Sequence, residues 1–532
     1  MLLSLSRYAA FVVANEKPIN SRTDAAEQLK GARRANETEN PLLLGGRGVC
    51  PIGHNTGSGR MPPMMRNTVR WRTPLEETGQ SGVLYSKGRL YFQSMAPLKD
   101  ASAPKDAGNT VGWCADARTG RLLWSVPLSA DEPAPYSYGF SDSSSPTPVT
   151  DGKQVWFVNS SGRVTCCDTN GKPLWTRTWK PTTGRPFNKQ FEPILYKNTL
   201  INLEPRDPAD PKREKDAWNY LVGLDAATGK LLWTSTDGLT HYCTPTLGTL
   251  GREPVVLIGR GGHHDVPEKP TGLSLIRATD GSTVWRTELP GKALYNLRFD
   301  NRYAYWLNED EGTHTVVDVR SGKLLRTQSL GAKADVRCWS NNRYVLERDA
   351  NIKGLGFRVF PAWFSNTTSN GWHWFLCFSQ TGNDYGVGPC GPMHCVGRVH
   401  IETGKVEYLE LPTEGIPRLS PVSGWDRGYN TAVSASTINS RGIEAASDPR
   451  SKRDGWFWNF NAPPVEIKGH LYWTLMNGMT YTLKANAPVL DESALLEVAC
   501  LGTVGDTWCL SQPAWDGRYR YYRTLKELVC VE

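Results

Sequence analysis

Hydrophobic and polar positions along the chain recur in a fixed order. A short apolar run closes on an Asp, a Gly-containing turn follows, and a second run leads to Trp. Four segments carry the whole pattern: Trp113–Trp124 (WCADARTGRLLW), Thr165–Trp175 (TCCDTNGKPLW), Val222–Trp233 (VGLDAATGKLLW) and Ser274–Trp285 (SLIRATDGSTVW). Two more are degenerate. Thr315–Arg326 places Arg326 where Trp is expected, and Arg398–Tyr408 places His400 at the Asp position and Tyr408 at the Trp position. Trp71, within Val69–Leu75, reads as the final half of a unit whose first half is missing. Successive Trp positions 71, 124, 175, 233 and 285 are 53, 51, 58 and 52 residues apart.

Each unit predicts two strands joined by a tight turn, with Gly free to take positive φ at the turn. Between units lie further strand-like runs: Gln154–Asn159, Val255–Gly259, Tyr303–Asn308 and His470–Met476. β-Branched and aromatic residues dominate them, and Gly, Asn or Asp bound them. Four strands in every ~50 residues is the signature of a β-propeller blade. Outer strands end near Trp124, Trp175, Trp233, Trp285, Arg326, Tyr408 and Leu495. An eighth blade is expected to be shared between the termini, because Glu527–Glu532 resembles the strand ahead of the Asp with nothing after it. The expectation is therefore an all-β fold: a single eight-bladed β-propeller of four-stranded antiparallel blades over residues 61–532, with a peripheral N-terminal extension over residues 1–60. Pairing residues 69–74 with 526–532 would close the ring and remove two exposed sheet edges.

Composition sharpens this picture. At 532 residues, length alone suggests three or four domains; the repeat replaces them with one ring. Twenty Trp supply ample apolar bulk for buried cores. No stretch approaches 18 consecutive apolar residues, so no transmembrane helix is expected. The formal charge is +8, but residues 1–70 hold ten Lys/Arg and five Asp/Glu, which leaves +3 for the rest. A nearly neutral body has no basic stripe for phosphates, and nucleic acid is excluded as a partner. A monomer is expected.

The pattern small-x-Asp-x-x-Thr-Gly-x-x-x-Trp resembles the tryptophan-docking repeat of the pyrroloquinoline-quinone (PQQ)-like propeller superfamily. That superfamily includes quinoprotein alcohol dehydrogenases and the propeller lipoprotein of the outer-membrane assembly machinery. Leu44–Gly48, Val69–Leu75 and Ser81–Phe92 also resemble secreted bacterial propellers, so the resemblance covers about residues 44–532. It implies the propeller fold and a periplasmic or secreted location. Met1–Ala14 is nonetheless a poor signal peptide: Arg7 interrupts its apolar stretch and no positive segment precedes it. The repeat serves catalysts and scaffolds alike, so function must be argued from a site.

The Gly turns fall on one face of such a propeller. Loops between second and third strands, and between blades, fall on the other, where the inserts Glu204–Ala217, Arg260–Gly272, Asn308–Gly312 and Gln380–Val396 concentrate. His263, His264 and Asp265 form the densest cluster, and His241 and Tyr242 enter the same blade on the same face. A His and a Tyr together could abstract and return a proton in polysaccharide β-elimination, with Asp265 as a metal ligand; the plainer reading is loop histidines bonded to backbone. Asn308, Glu309 and Asp310 offer oxygen ligands for a hard cation such as Ca²⁺, which a quinoprotein holds beside PQQ; solvated loop acids are the plainer reading. Cys166-Cys167 matches the vicinal disulfide of quinoprotein dehydrogenases, yet Cys114, Cys166 and Cys530 occupy one repeat position and read as small buried residues. Of the twelve cysteines, Cys390 and Cys395 could close a loop disulfide, or Cys377, Cys390, His394, Cys395 and His400 could hold zinc. Two functions stand: an exported binding or scaffold module for a protein or an acidic glycan, and an enzyme on the same face, either a polysaccharide lyase or a PQQ-dependent dehydrogenase.

Overall fold

The computed structural model of the chain describes residues 69–98, 108–129, 137–138, 141–181, 192–206, 218–240, 243–261, 269–290, 296–340, 343–355, 358–380, 387–388, 391–392, 394–411, 438–442, 462–476, 478–502 and 507–532. These residues fold as β-sheets in the order of a propeller. A typical blade runs Leu84–Ser86, Arg89–Met95, Thr110–Asp116 and Leu122–Leu128, each strand antiparallel to the next. The middle strands are almost wholly buried, because aromatic and β-branched residues face neighbouring blades on both sides. The outer strands alternate, with one side turned to solvent.

The ends of the described chain pair as expected. Val69–Pro74 lies antiparallel to Glu527–Val531, with Arg72 opposite Val529. Ala514–Trp515 and Arg520–Arg523 complete this closing blade.

The expected count of eight four-stranded blades is corrected. Seven sheets are four-stranded blades; the remaining large sheet has six strands and is not purely antiparallel. Its blade-like part is Arg358–Ser369, Trp372–Gln380, His394–His400 and Val406–Glu410. A hairpin, Ala334–Ser340 with Arg343–Ala350, adds to its outside, and Val336 runs parallel to Tyr408. The physical reason is the extra chain. From Arg326 to Tyr408 is 82 residues, about 30 more than one repeat, and part of that excess, residues 334–350, forms a hairpin that satisfies its backbone on an open sheet edge.

The blades are joined by one recurring contact. In the outer strands that carry Trp, the Trp faces the residue two before the turn Asp, as in Cys114 opposite Trp124, Cys166 opposite Trp175 and Gly223 opposite Trp233, and Trp71 likewise faces Cys530, two before Glu532. A register shift follows that pair in several blades and tips the indole toward the next blade. There Trp71 Nε1 donates to Ala117 O at 3.2 Å, Trp124 to Thr169 O at 3.0 Å, Trp175 to Ala226 O at 3.0 Å and Trp285 to Val319 O at 2.6 Å. The ring covers the turn glycine: a Cβ on Gly120 would stand 2.6 Å from Trp71 Cε3, and one on Gly171 would stand 2.6 Å from Trp124 Cδ2. Those glycines also have φ of 74° and 87°, so any side chain would be strained as well as blocked.

Arg326 does the same work without a ring. Its Nη2 donates to Ile401 O at 2.6 Å and its Nη1 to Glu402 O at 2.9 Å. His400, at the Asp position of that turn, accepts from Thr403 N through Nδ1 at 3.1 Å. Asp116 makes the matching bond to Thr119 N at 2.8 Å.

The six-stranded sheet is tied to the following blade by a buried ion pair. Arg398 and Glu407 have side chains 0% and 1% exposed and meet at 2.6 Å. Arg398 Nη1 donates to Ala487 O at 2.6 Å, Leu490 N donates to Glu407 at 3.2 Å, and the guanidinium lies 4.0 Å from the Trp372 ring. Removing one partner leaves a buried charge without its counterion, which costs about 3–5 kcal/mol. Glu407→Gln is therefore expected to lose stability of that order in denaturant unfolding. Glu532→Gln, at the exposed pairs with Arg70 and Arg518, should lose far less, because solvent screens exposed pairs.

Candidate functional site

Asp237 and Gly238 interrupt the outer strand Leu231–Thr240. Val222 pairs with Thr234, but Tyr220 pairs with Leu239, so residues 235–238 bulge out of the ladder. Ser235 Oγ accepts from Gly238 N at 3.0 Å and holds the bulge. Its effect is to send Asp237 to the next blade. Asp237 Oδ2 accepts from Thr283 Oγ1 at 2.8 Å, and Oδ1 accepts from Arg286 Nη1 at 2.8 Å.

At this seam lies a cavity of about 560 Å³, lined in part by Trp218, Tyr220, Asp237, Arg260, Arg286 and Glu288. Trp218, Tyr220 and Leu239 are packed together as its apolar wall. Arg206 stacks on Tyr220 at 4.4 Å and donates to its hydroxyl at 3.1 Å. Arg260 is 3% exposed; its Nη2 donates to Thr271 O at 3.1 Å, and its Nε has no partner. Burial lowers the pKa of Arg260 and the nearby Asp237 charge works against that fall. Burial alone would raise Asp237, but the bonds from Arg286 and Thr283 and the charges of Arg286 and Arg260 outweigh it and hold the carboxyl low. The site thus offers aromatic faces beside a buried guanidinium with an unmade hydrogen bond. That combination suits a ring-bearing ligand with a carboxylate.

His241, Tyr242, His263, His264 and Asp265 lie outside the described residues. In the chain, His241 follows Thr240 directly, and His263 comes three residues after Arg260. Asn308 turns inward instead: its Oδ1 accepts from Asp310 N at 3.0 Å and Glu311 N at 3.3 Å. Glu309 is buried, and the Asp310 carbonyl accepts from Arg358. Among the described residues no group of three or more His, Cys, Asp or Glu is placed to hold a metal.

The cysteine alternatives narrow. Cys166 and Cys167 are separate free thiols on one strand, so they do not fit the disulfide that contacts a quinone. Cys395 is also a free thiol, which excludes the Cys390–Cys395 disulfide; it faces Cys377 across two strands. Cys338 is disulfide-bonded. His400 caps a turn, as described above. Burial pushes Cys166 and Cys167 up to about 12. A thiol must ionise to react, so iodoacetamide at neutral pH is expected to leave both unmodified in the native protein and to alkylate both after unfolding, as read by peptide mapping.

Sequence reasoning missed the cavity residues. The one signal was Asp237-Gly238, a turn dipeptide inside an otherwise continuous strand pattern. It also missed His314 and His373, which bridge two sheets. His314 Nε2 lies 3.2 Å from His373 Nδ1, and His373 Nε2 lies 3.0 Å from Asn366 Oδ1. Both are 0% exposed, and burial pushes His314 down to about 3 and His373 well below its ordinary value. They are neutral structural links rather than bases poised near neutrality. Unfolded histidines bind protons below about pH 6.5, while these do not. Stability is therefore full above that pH and falls as pH drops below it. His314→Gln is expected to flatten this acid loss in thermal unfolding measured from pH 7 to 4.

The sequence matches the family described as outer membrane protein assembly factor BamB over residues 65–190 and 218–350. No curated protein matches it. Among solved structures, a quinohemoprotein alcohol dehydrogenase from Comamonas testosteroni superposes with a TM-score of 0.50 at 12% identity, covering 87% of this chain and 76% of that one. BamB from Moraxella catarrhalis gives 0.43 at 10% identity, covering 88% and 98%. The matched stretches span just under half of the chain and, with the repeat and the blades, support a PQQ-like β-propeller. No helix among the described residues is long and apolar enough to cross a membrane.

Proposed function

We propose that this propeller is an exported binding module for an acidic glycan, which it takes at the cavity between Trp218 and Arg260. The observation that carries the reading is the buried Arg260 Nε, unpaired on a wall shared with Trp218 and Tyr220. A pyranose ring would pack against Trp218, since Arg206 already covers the Tyr220 ring, and its carboxylate would supply the missing acceptor to Arg260, with Arg286 at the rim. Leaving a buried donor unmade costs about 1–3 kcal/mol, and a uronate would relieve that cost where a neutral sugar would not. Export is the reading supported by the likeness to an outer-membrane assembly family.

A second reading has its own support. His241-Tyr242 and His263-His264-Asp265 are chain neighbours of cavity residues Leu239 and Arg260. If they face the bound uronate, the same site would cleave it by β-elimination.

Both are tested with one ligand pair. Oligogalacturonate is titrated against the neutral oligomer of equal length, with Trp fluorescence and calorimetry as readouts. The acidic oligomer is expected to bind at least tenfold more tightly, and Arg260→Gln should remove that preference, about 1.4 kcal/mol or more. Equal binding of both oligomers, or none, overturns the proposal. Appearance of unsaturated product, lost in His263→Ala or His264→Ala, would select the lyase; binding without turnover selects the module.

A further inference from the structure

A second group of buried donors lies where the connectors entering neighbouring blades converge, apart from the Arg260 cavity. Gly79 precedes the strand Leu84–Ser86, Asp142 and Ser144 precede Val149–Thr150, and Arg523 ends the strand Arg520–Arg523 of the closing blade. Arg441 comes in from the segment 438–442. Arg523 and Arg441 are 1% and 3% exposed, and both guanidiniums feel the charge of Asp142.

Their hydrogen bonding is incomplete. Arg523 donates through Nη1 to Gly79 O, but its Nε and Nη2 have no partner. Arg441 donates through Nη2 to Ala96 O, but its Nε and Nη1 have none. In a guanidinium, Nε and Nη2 share one edge, and that edge takes a planar carboxylate in two parallel bonds. The unmade pair on Arg523 is therefore the carboxylate-binding edge. Asp142 is already engaged: its Oδ1 accepts from Ser144 N at 2.8 Å and from Ser144 Oγ at 2.5 Å. Glu77, the other acid near Arg441, accepts from Ser440 Oγ at 2.5 Å.

The place is also crowded. A Cβ on Gly79 would stand 2.7 Å from Ser144 Oγ, 2.7 Å from Ser94 Cα and 2.8 Å from Arg523 Nη2. Bare backbone at Gly79 lets the guanidinium approach, and any ligand on its free edge must be small. Buried donors are nearly always satisfied in folded proteins, and each exception calls for an explanation.

We propose that the free edge of Arg523, with Arg441 across Asp142, is a buried site for a small free carboxylate of the size of formate or acetate. Such a ligand would lock three connectors together and stabilise the ring at its closure.

The test uses the full chain. Thermal unfolding is followed in chloride buffer as sodium formate, sodium acetate or sodium sulfate replaces chloride at constant ionic strength. Formate or acetate is expected to raise Tm along a saturating curve, because a ligand bound only to the folded state stabilises it by mass action, whereas sulfate is expected to give only the gradual, non-saturating rise of an excluded salt. Arg441→Gln should shift the midpoint of that curve at least tenfold, and Arg523→Lys should abolish it. If Arg523→Lys does not fold, calorimetric titration of the native chain with formate decides the same point. A Tm indifferent to carboxylate, or one that rises with carboxylate without saturating and to the same extent in Arg523→Lys, overturns the proposal. Arg260→Gln should leave the formate response unchanged, which separates this site from the glycan cavity.

Discussion

The ring depends on a hydrogen bond that leaves one blade and ends on the backbone of the next. The indole of Trp71, Trp124, Trp175 or Trp285 donates to the carbonyl just after the turn Asp position of its neighbour. That same residue uses its amide within its own blade: Ala117 N donates to Gly88 O and Ala226 N donates to Asn198 O, both across the two turns of one blade. One residue thus ties two turns of a blade together and receives the blade before it. Each such bond is worth only about 1 kcal/mol net. The larger gain is the apolar area of a ring pressed on a bare glycine, which removes both surfaces from water.

Arg326 shows which part of this contact is essential. It keeps the donor and gives up the ring, and the carbonyl it reaches, Ile401 O, is the equivalent one. Trp233 is the converse. It lies on Gly281, where a Cβ would stand 2.4 Å away, yet its Nε1 has no partner. Each half of the contact is thus missing at one seam, while the seams of Trp71, Trp124, Trp175 and Trp285 keep the hydrogen bond. A buried ion pair takes over where the repeat is most degenerate: Arg398 and Glu407 anchor the six-stranded sheet to Ala487 and Leu490.

With the turn face spent on holding blades together, the unpaired guanidinium atoms of Arg260, Arg441 and Arg523 lie elsewhere. Both groups of unpaired buried guanidinium atoms lie at the ends of second strands or in connectors between blades, where the repeat imposes no sequence. Arg260 ends Glu253–Arg260, and Arg523 ends Arg520–Arg523. A rigid ladder positions each arginine at a strand end.

The repeat was legible because its causes are local. Asp caps its own turn, Gly takes positive φ, and the Trp sits at a fixed distance along the strand, so spacing alone revealed blades and predicted the meeting of Val69–Pro74 with Glu527–Val531. The 82 residues between Arg326 and Tyr408 signalled extra chain, but not where it would go; whether a hairpin forms a new blade or joins an old edge depends on which edge is open in space. The cavity was not legible either. Asp237, Arg260 and Arg286 come from separate strands of two blades, Trp218 lies just before another strand, and none belongs to a motif. What brought them together is a bulge at Asp237-Gly238 and the packing of one blade on the next. The sequence alone determined the strands and their turns, since those rest on contacts a few residues long. Tertiary structure alone decided the blade count and the site, since those rest on contacts between residues far apart in the chain.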